Sequence, residues 1–594
     1  MTYGSRQLRR TPWTGAVKLT RGLSVVTLTT LYLCLAFRLF EHTFWTTGLG
    51  DWWDPYFINF LLEHWYQSGL RFTDPTTPPM FFPVEGTLGY SHGLILYVPF
   101  YVLARLFLHP FQAYNMALFT VMGSGVLCLY AFLRRFVHLT FAESLLVTLF
   151  FLTSSNVMGP WIGIWSQRAS VFLVPAILYG AFASYSMPLG SRRRIAALGA
   201  GFLSTLLYTQ DFYTGHFVFS FAALACLAWL VLARRLLVSR STAFRQVAGR
   251  RSVYAALAVV VFAGAWMLIV AVTGGGAIGL FGLSLSSRDW RRPALVVLAA
   301  LGFLMSRRGF RESWLLPFLT GTFIGGCVFL WIYLDSYRTH REFPLEGITS
   351  RLRPFDGDFR GGYESLRSFV LLGVLAIAAW IPRAGVSRAV RFAATGALLV
   401  SFIVLAIPFR FGDVSVWTVM RHLLPGFSSI SDPTRIIYIY ELAAALWIGW
   451  FISRLPRGSV FRVSATVLIL LLLVIHPNIV ALDFLRPRET YARWVEAPIV
   501  KDPSCRAFVI KAASAAYGER PNNAWTTYPM DAMWVALRHS IPTLNGYSAW
   551  APPGYSIGNP HDPDYHAAVD RWIAHRSLTG VCVFDVEKRT MTPW

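Results

Sequence analysis

The sequence predicts a polytopic α-helical membrane protein with a small mixed α/β domain at its C-terminal end. Three observations point there. Hydrophobic residues make up 55% of the chain and charged residues only 14%, where a soluble domain carries about 25% charged residues. Apolar runs approaching the roughly 20 residues of a spanning helix recur along most of the chain. Short arginine clusters separate those runs, as they do where basic residues hold loops in the cytoplasm. A membrane β-barrel would show short alternating segments instead, and none is evident.

The N-terminal tail carries Arg6, Arg9, Arg10, Lys18 and Arg21 ahead of the run LSVVTLTTLYLCLAFRLF. No small-x-small cleavage site follows it, so it reads as a retained first helix with a cytoplasmic N-terminus. Residues 43–112 then form a large outer loop. Inside it lies the apolar stretch HGLILYVPFYVLARLFLHP. Counting this stretch as a crossing would put every later basic cluster outside. Residues 93–109 therefore read as an amphipathic, half-embedded segment on the outer surface.

Further spans are expected at 113–133, 142–160, 169–186, 194–208, 216–235, 253–272, 293–306, 313–334, 367–382, 390–408, 435–453 and 464–481. With the first, this makes about thirteen, by the apolar length a bilayer requires. The N-terminus is then inside and the C-terminus outside. On that count Arg134-Arg135, Arg192-Arg193-Arg194, Arg234 to Arg251, Arg307-Arg308-Arg311, Arg383-Arg388-Arg391 and Arg454-Arg457-Arg462 all fall inside. RDWRRP at 288–293 stays outside, against the rule.

Residues 1–481 thus form the membrane part and 482–594 an extracytoplasmic domain. The latter is more polar, with turn signals RPNN, APPG and NPHDPD and strand-like runs AFVI and VCVFDV. Its two cysteines, Cys505 and Cys582, could pair in an oxidising compartment. Cys34, Cys128, Cys226 and Cys327 sit in apolar runs and read as packing residues.

The net charge of +23 raises nucleic acid as a partner. No basic-aromatic binding motif accompanies it, and the arginines are placed where topology needs them, so nucleic acid is set aside. The large loops, 43–112, 335–365 and 409–436, all fall outside, and the inner connections are short. An enzyme working at the outer bilayer face has this distribution. A transporter with gating loops, or a non-catalytic assembly protein on the same scaffold, shares it less closely.

Chemistry is best sought in GDWWDPYFINFLLEH at 50–64. Asp54-Pro55 is a good helix start, with Asp as N-cap and Pro in the first turn. On that reading Asp54 is only a cap. The alternative is catalytic: Asp51 and Asp54 flank Trp52 and Trp53, whose faces suit sugar rings, and apolar walls raise a carboxylate's pKa. A carboxylate so placed could take a proton from a hydroxyl or hold a divalent cation. His92 in YSHG is either structural or a metal ligand. Asp356 and Asp358 in DGDF have a spacing that can hold a phosphate-bound metal or form a solvated turn. Arg410, Arg421 and Arg435 flank the third loop and are either interfacial or phosphate ligands.

The first helix, the outer loop with DPYF, and the amphipathic outer helices resemble the GT-C membrane glycosyltransferases. These include oligosaccharyltransferase catalytic subunits, protein O-mannosyltransferases and aminoarabinose transferases. DPYFINFLLEHWYQSGLRFTDPTTPPMFFPVEGTLGYSHG is similar to bacterial proteins of this type. The resemblance implies an inverting transferase that moves a sugar from a polyprenyl-phosphate donor to a glycan, lipid or protein acceptor at the outer face of a bacterial cytoplasmic membrane. It implies Asp54 as the catalytic carboxylate, Asp51 as its assistant, and a divalent metal, magnesium or manganese, near Asp51, His92, Asp356 or Asp358. Arg435, with Arg410 and Arg421, would hold the lipid phosphate. Trp52, Trp53, Asp211, Arg168 and Tyr547 would contact sugar or acceptor. Two departures stand out. WSQRAS places Arg168 where some relatives carry a second acid, with Asp211 as a substitute, and no WWDYG acceptor signature occurs.

Overall fold

In a computed structural model of the chain, the residues described are 12–158, 166–220, 314–339, 363–381, 432–475, 482, 484–512 and 524–594, with shorter stretches within 255–306, at 353–354 and within 386–430. Helix α1 (Pro12–Ala36) ends where Arg38 takes a left-handed conformation. The chain then forms strand β1 (Thr47–Leu49), which pairs antiparallel with β2 (Phe484–Pro487). The start of the first loop and the entry to the C-terminal segment are thereby joined, and Leu482 N donates to Ala36 O at 2.9 Å.

Helix α2 (Asp54–Arg71) follows and is largely buried. Helix α3 (Val98–Arg105) has only 8 residues. At about 1.5 Å per residue it rises about 12 Å, well short of the roughly 30 Å hydrocarbon core, so it is no crossing. Glu63 of α2 accepts from Arg105 Nε at 2.8 Å and from Tyr101 Oη at 2.6 Å, which fixes α3 against α2.

The membrane-type helices are α4 (Pro110–Arg135), α5 (Phe141–Leu152), α6 (Leu173–Ser186), α7 (Ser191–Gln210), α8 (Arg291–Ser306), α9 (Leu315–Thr339), α10 (Tyr363–Trp380), α11 (Arg388–Ala406), α12 (Ile436–Arg454) and α13 (Val460–Ile475). Four stretches are long and apolar enough to cross a membrane: Pro110–Arg135, Ser166–Ser186, Leu315–Ser336 and Pro433–Arg454. Shorter apolar helices accompany them. Helices α10, α11 and α13 leave Val370, Leu399, Phe402 and Leu471 half or more exposed, an apolar outer face that suits lipid. The span expected at 142–160 is shorter, because α5 stops at Leu152. The expected spans at 216–235 and 253–272 lie largely outside the described residues.

Two packing features hold this part together. Gly201 of α7 and Gly321 of α9 face each other's backbone so closely that a Cβ on either would collide with a carbonyl, of Phe318 or Leu198. Small residues allow that approach between apolar helices. At the start of α5, Thr140 and Glu143 form a capping box, and both Glu143 oxygens take hydrogen bonds from Arg462 of α13 at 2.6 and 2.8 Å.

The C-terminal segment contains a four-stranded sheet made of β3 (Val500–Lys501), β4 (Ala507–Ile510), β5 (Val581–Asp585) and β6 (Thr590–Pro593). The order is β3-β6-β5-β4, with β5 antiparallel to β6 and parallel to β4. Both strand-like runs read from the sequence lie at its centre and edge, as β5 and β4. Cys505 and Cys582 form a disulfide across 77 residues. Helices α14 (Ala524–His539) and α15 (Tyr565–Arg576) complete the unit. Trp534 of α14 stacks on Tyr56 of α2 at 5.4 Å, and Tyr56 Oη donates to Asp531 at 3.3 Å. The C-terminal unit therefore rests directly on the helix that begins with Asp54.

Candidate active site

Helix α2 begins at Asp54 with Trp53 in the capping position. The Trp53 carbonyl accepts from the amides of Tyr56 at 2.9 Å and Phe57 at 3.0 Å. The Trp53 amide in turn donates to Asp51 Oδ1 at 2.9 Å. Asp51 is thus the acid that serves the backbone, and Asp54 is not the cap. Asp54 Oδ1 accepts from Tyr547 Oη at 2.9 Å, and Oδ2 accepts from Gln167 Nε2 at 3.3 Å. Its carboxylate is held by side chains from two distant parts of the chain.

Gln167 and Arg168 belong to a 3-10 turn, Ser166–Phe172, that leads into α6, and both are buried. The Arg168 guanidinium lies over the Tyr438 ring at 5.6 Å. Arg435 ends a second 3-10 turn, Pro433–Arg435, at the head of α12. Its Nε donates to Asp432 Oδ2 at 3.2 Å, and its guanidinium lies over the Tyr213 ring at 4.5 Å. Burial opposes ionisation of Asp432, but Arg435, the Thr434 hydroxyl and Arg168 outweigh it and hold the carboxyl below its usual range. Arg435 also interacts electrostatically with Asp54, and Arg168 with Arg435. Two buried guanidiniums therefore share a region with the Asp54 carboxylate.

Asp211 follows α7 and is fully buried. It accepts from the amides of Tyr213 and Thr214 at 3.3 and 3.2 Å, from the Thr214 hydroxyl, and from Tyr438 Oη at 3.1 Å. This is an N-cap for the helical turn that follows. His92 Nδ1 lies 3.5 Å from Asp211 Oδ1. The next residue, Gly93, fixes that loop: its amide donates to Tyr333 Oη at 2.7 Å, and its carbonyl accepts from Trp65 Nε1 at 2.8 Å. Burial pushes His92 below the usual histidine range; Asp211 pulls against that and Arg435 adds to it.

Asp51 is pushed up by burial, while the Trp53 amide and Arg486 draw it down and Asp54 adds to the rise. Arg486 is fully buried and sits 5.1 to 5.6 Å from the rings of Phe111, Tyr114 and Tyr56. It donates to the Leu49 carbonyl. Burial and the Asp54 charge both push the Tyr547 phenol up, so it remains a proton donor.

Trp52 is buried in the core, in a T-shaped contact with Tyr56 at 5.1 Å. Trp53 keeps more surface. Arg410 is exposed on the strand Phe409–Phe411, and Arg421 lies on the helix Val416–Leu423. Arg168 is a guanidinium that interacts electrostatically with Arg435. Asp356 and Asp358 lie outside the described residues. Among the described residues, no group of three or more His, Cys, Asp or Glu side chains is placed to hold a metal ion. Asp51 accepts from the Trp53 amide and interacts electrostatically with Arg486, and His92 Nδ1 lies 3.5 Å from Asp211 Oδ1.

Gln167, Asp432, Tyr213, Tyr438 and Arg486 were not legible as site residues. Gln167 had one signal, its place beside the conspicuous Arg168. Arg486 had none, since an arginine just past the last apolar run reads as interfacial. No protein-family model matches the chain, and no curated protein matches it at a significant level.

Proposed function

We propose that the chain is a membrane-embedded inverting glycosyltransferase that uses a polyprenyl-phosphate sugar. The observation that carries this reading is the juxtaposition of the Asp54 carboxylate, fixed by Tyr547 and Gln167, with the buried guanidiniums of Arg435 and Arg168. The chain crosses the bacterial cytoplasmic membrane about thirteen times with its N-terminus inside, following the basic clusters. The site then faces outward at the headgroup level.

In the reaction, an acceptor hydroxyl oxygen attacks C1 of the sugar from the face opposite the phosphate. A new C1–O bond forms as the bond from C1 to the phosphate oxygen breaks, and the configuration inverts. Asp54 takes the hydroxyl proton as general base. The electron pair leaves with the lipid phosphate, whose charge grows in the transition state. Arg435 and Arg168 meet that charge, and their planar forks suit phosphate better than an ammonium does. Asp432 keeps Arg435 oriented and part-neutralised until donor binds. Every step uses the chain's own side chains.

The test is turnover in lipid nanodiscs. C20 polyprenyl phosphates bearing mannose, glucose, galactose or arabinose are offered with detergent-extracted cell-envelope glycans as acceptors. Formation of a new glycosidic bond, lost in Asp54→Asn, supports the reading. No turnover of any donor overturns it.

A second reading, a transporter of lipid-linked glycan, draws on Glu441, fully buried within α12 and bonded to Asn156 at 3.2 Å and Ser368 at 2.5 Å. Ionisable groups inside a membrane often mark a transport route. Movement of labelled lipid-linked sugar across vesicles, without bond formation, would favour it.

A further inference from the structure

We propose that the C-terminal domain is part of the reaction centre, through Tyr547 acting as the positioning residue for Asp54; this rests on the transfer reading above. An aspartate at the head of a helix has two free side-chain torsions. Here each oxygen meets one donor, Tyr547 on Oδ1 and Gln167 on Oδ2, from elements on either side. Each oxygen keeps a further lone pair. The acceptor hydroxyl can therefore reach a carboxylate whose orientation is already set, which is worth far more than one that must find its rotamer during the reaction.

The hydroxyl is held there by a built strap, residues 543–548. On one side the strap belongs to the C-terminal sheet. Leu544 N donates to Phe508 O at 2.8 Å, and Ile510 N donates to Asn545 Oδ1 at 2.8 Å. Asn545 Nδ2 donates to Tyr565 Oη at 3.2 Å, and Tyr565 Oη donates to Ile510 O at 2.7 Å. On the other side the strap belongs to the first outer loop. Phe81 N donates to Asn545 O at 3.2 Å, Phe82 N to Thr543 O at 3.0 Å, and Thr543 N to Pro79 O at 3.2 Å. Ser548 Oγ donates to Tyr90 O at 2.8 Å. Gly546 lies so close to the Phe81 ring that no Cβ fits between them. The ring of Tyr547 stands edge-on to Phe57 at 5.4 Å, one turn into α2. Packing alone would be served by phenylalanine. The hydroxyl adds the contact with Asp54.

The experiment compares Tyr547→Phe with wild type in nanodiscs, on whichever donor of the panel wild type turns over. The expected result is a kcat loss of about tenfold or more, by the scale of positioning effects, with KM for donor and binding of farnesyl phosphate both within about twofold. Gly546→Ala, which pushes the strap off Phe81 with the hydroxyl intact, is expected to give the same pattern. Combining Tyr547→Phe with Gln167→Leu is expected to be non-additive, since both hold one carboxylate. A Tyr547→Phe enzyme with kcat within twofold of wild type overturns the proposal. So does a loss of farnesyl phosphate binding and thermal stability in parallel with kcat, which marks a merely structural role. Wild type that turns over no donor removes the transfer reading itself, an outcome distinct from either.

Discussion

Tyr547 donates its hydroxyl to Asp54 at 2.9 Å across 493 residues of sequence. The loop that follows α1 and the C-terminal unit meet at one carboxylate. Asp51 takes over the backbone contact that a helix-starting aspartate would ordinarily make, and Asp54 turns its carboxylate to Tyr547 and Gln167 instead.

Asp54→Asn is the most direct check of that chemistry. The amide keeps the size and one acceptor oxygen but cannot take a proton. Loss of a general base costs about 10²- to 10⁴-fold in kcat. Binding of farnesyl phosphate, measured by calorimetry, is expected to stay within about twofold, because the proposed phosphate contacts are those of the arginines. A variant that retained a tenth or more of the turnover would take Asp54 out of the base role.

Arg435→Lys and Arg168→Lys separate charge from geometry. Lysine keeps one positive charge near Asp432 and Asp54 but loses the planar fork that grips two phosphate oxygens at once. Farnesyl phosphate affinity is expected to fall about ten- to a hundredfold in each, in line with losing one charge-assisted hydrogen bond of about 1.5–3 kcal/mol. Arg410→Lys and Arg421→Lys serve as comparisons. If they weaken binding as much as Arg435→Lys, the anion sits elsewhere.

Some of this was readable in the sequence, and the reasons differ residue by residue. Apolar runs mark helices because the bilayer demands them, so α4, α9 and α12 fall close to where expected. The end of α5 at Leu152 was missed because Thr153 and Ser154 interrupt a run whose average hydropathy stays high. Asp54 stood out through its Trp and Pro neighbours. The burial of Trp52 was not legible, because an indole beside a charged loop gives no sign of which way it turns, and it turns into the core. Arg168 stood out as an oddity of the sequence. Its electrostatic interaction with Arg435 is a tertiary fact, set by a turn and a helix more than two hundred residues apart, and no local pattern encodes it.

His64 gives the folded state a pH dependence. It is buried, its ring Nε2 lies 3.1 Å from the Pro75 carbonyl, and burial lowers its pKa from 6.5 to about 4, against smaller opposing effects of that carbonyl and Asp74. Between those two values the unfolded chain binds a proton at this site and the folded chain does not. Stability therefore is full above pH 6.5 and declines as pH falls toward 4, by up to about 1.4 kcal/mol per unit. His64→Gln, which can still donate to Pro75, is expected to flatten that limb in thermal melts. An unchanged slope would place the acid sensitivity on other groups.

Cysteine pairing ties Tyr547 to the redox state of the domain. The bond from Cys505 to Cys582 closes a 77-residue loop that contains the strap and joins its flanking strands. The chain-entropy estimate for a loop of that size is about 4 kcal/mol. Cys505→Ser with Cys582→Ser is expected to lower the unfolding temperature of the C-terminal domain, read by tryptophan fluorescence. An unchanged melting curve would mean that the sheet holds itself together without the bridge.

Glu143 and Arg462 make the sharpest stability test, because the pair does two jobs at once. Arg462 grips both Glu143 oxygens at 2.6 and 2.8 Å, and the side chains are only 8% and 7% exposed. Removing one partner leaves the other charge buried and unanswered, which costs about 3–5 kcal/mol. Arg462→Met is therefore expected to lower the melting temperature steeply. Adding Glu143→Leu removes the stranded charge, so the double variant should recover most of the loss. It should not recover all of it, because Glu143 Oε2 also accepts from the Thr140 amide at 2.8 Å as part of the capping box. Loss of that cap leaves a residue of about 1 kcal/mol. A double variant less stable than Arg462→Met alone would show that the cap, rather than the ion pair, is what holds α5 in place.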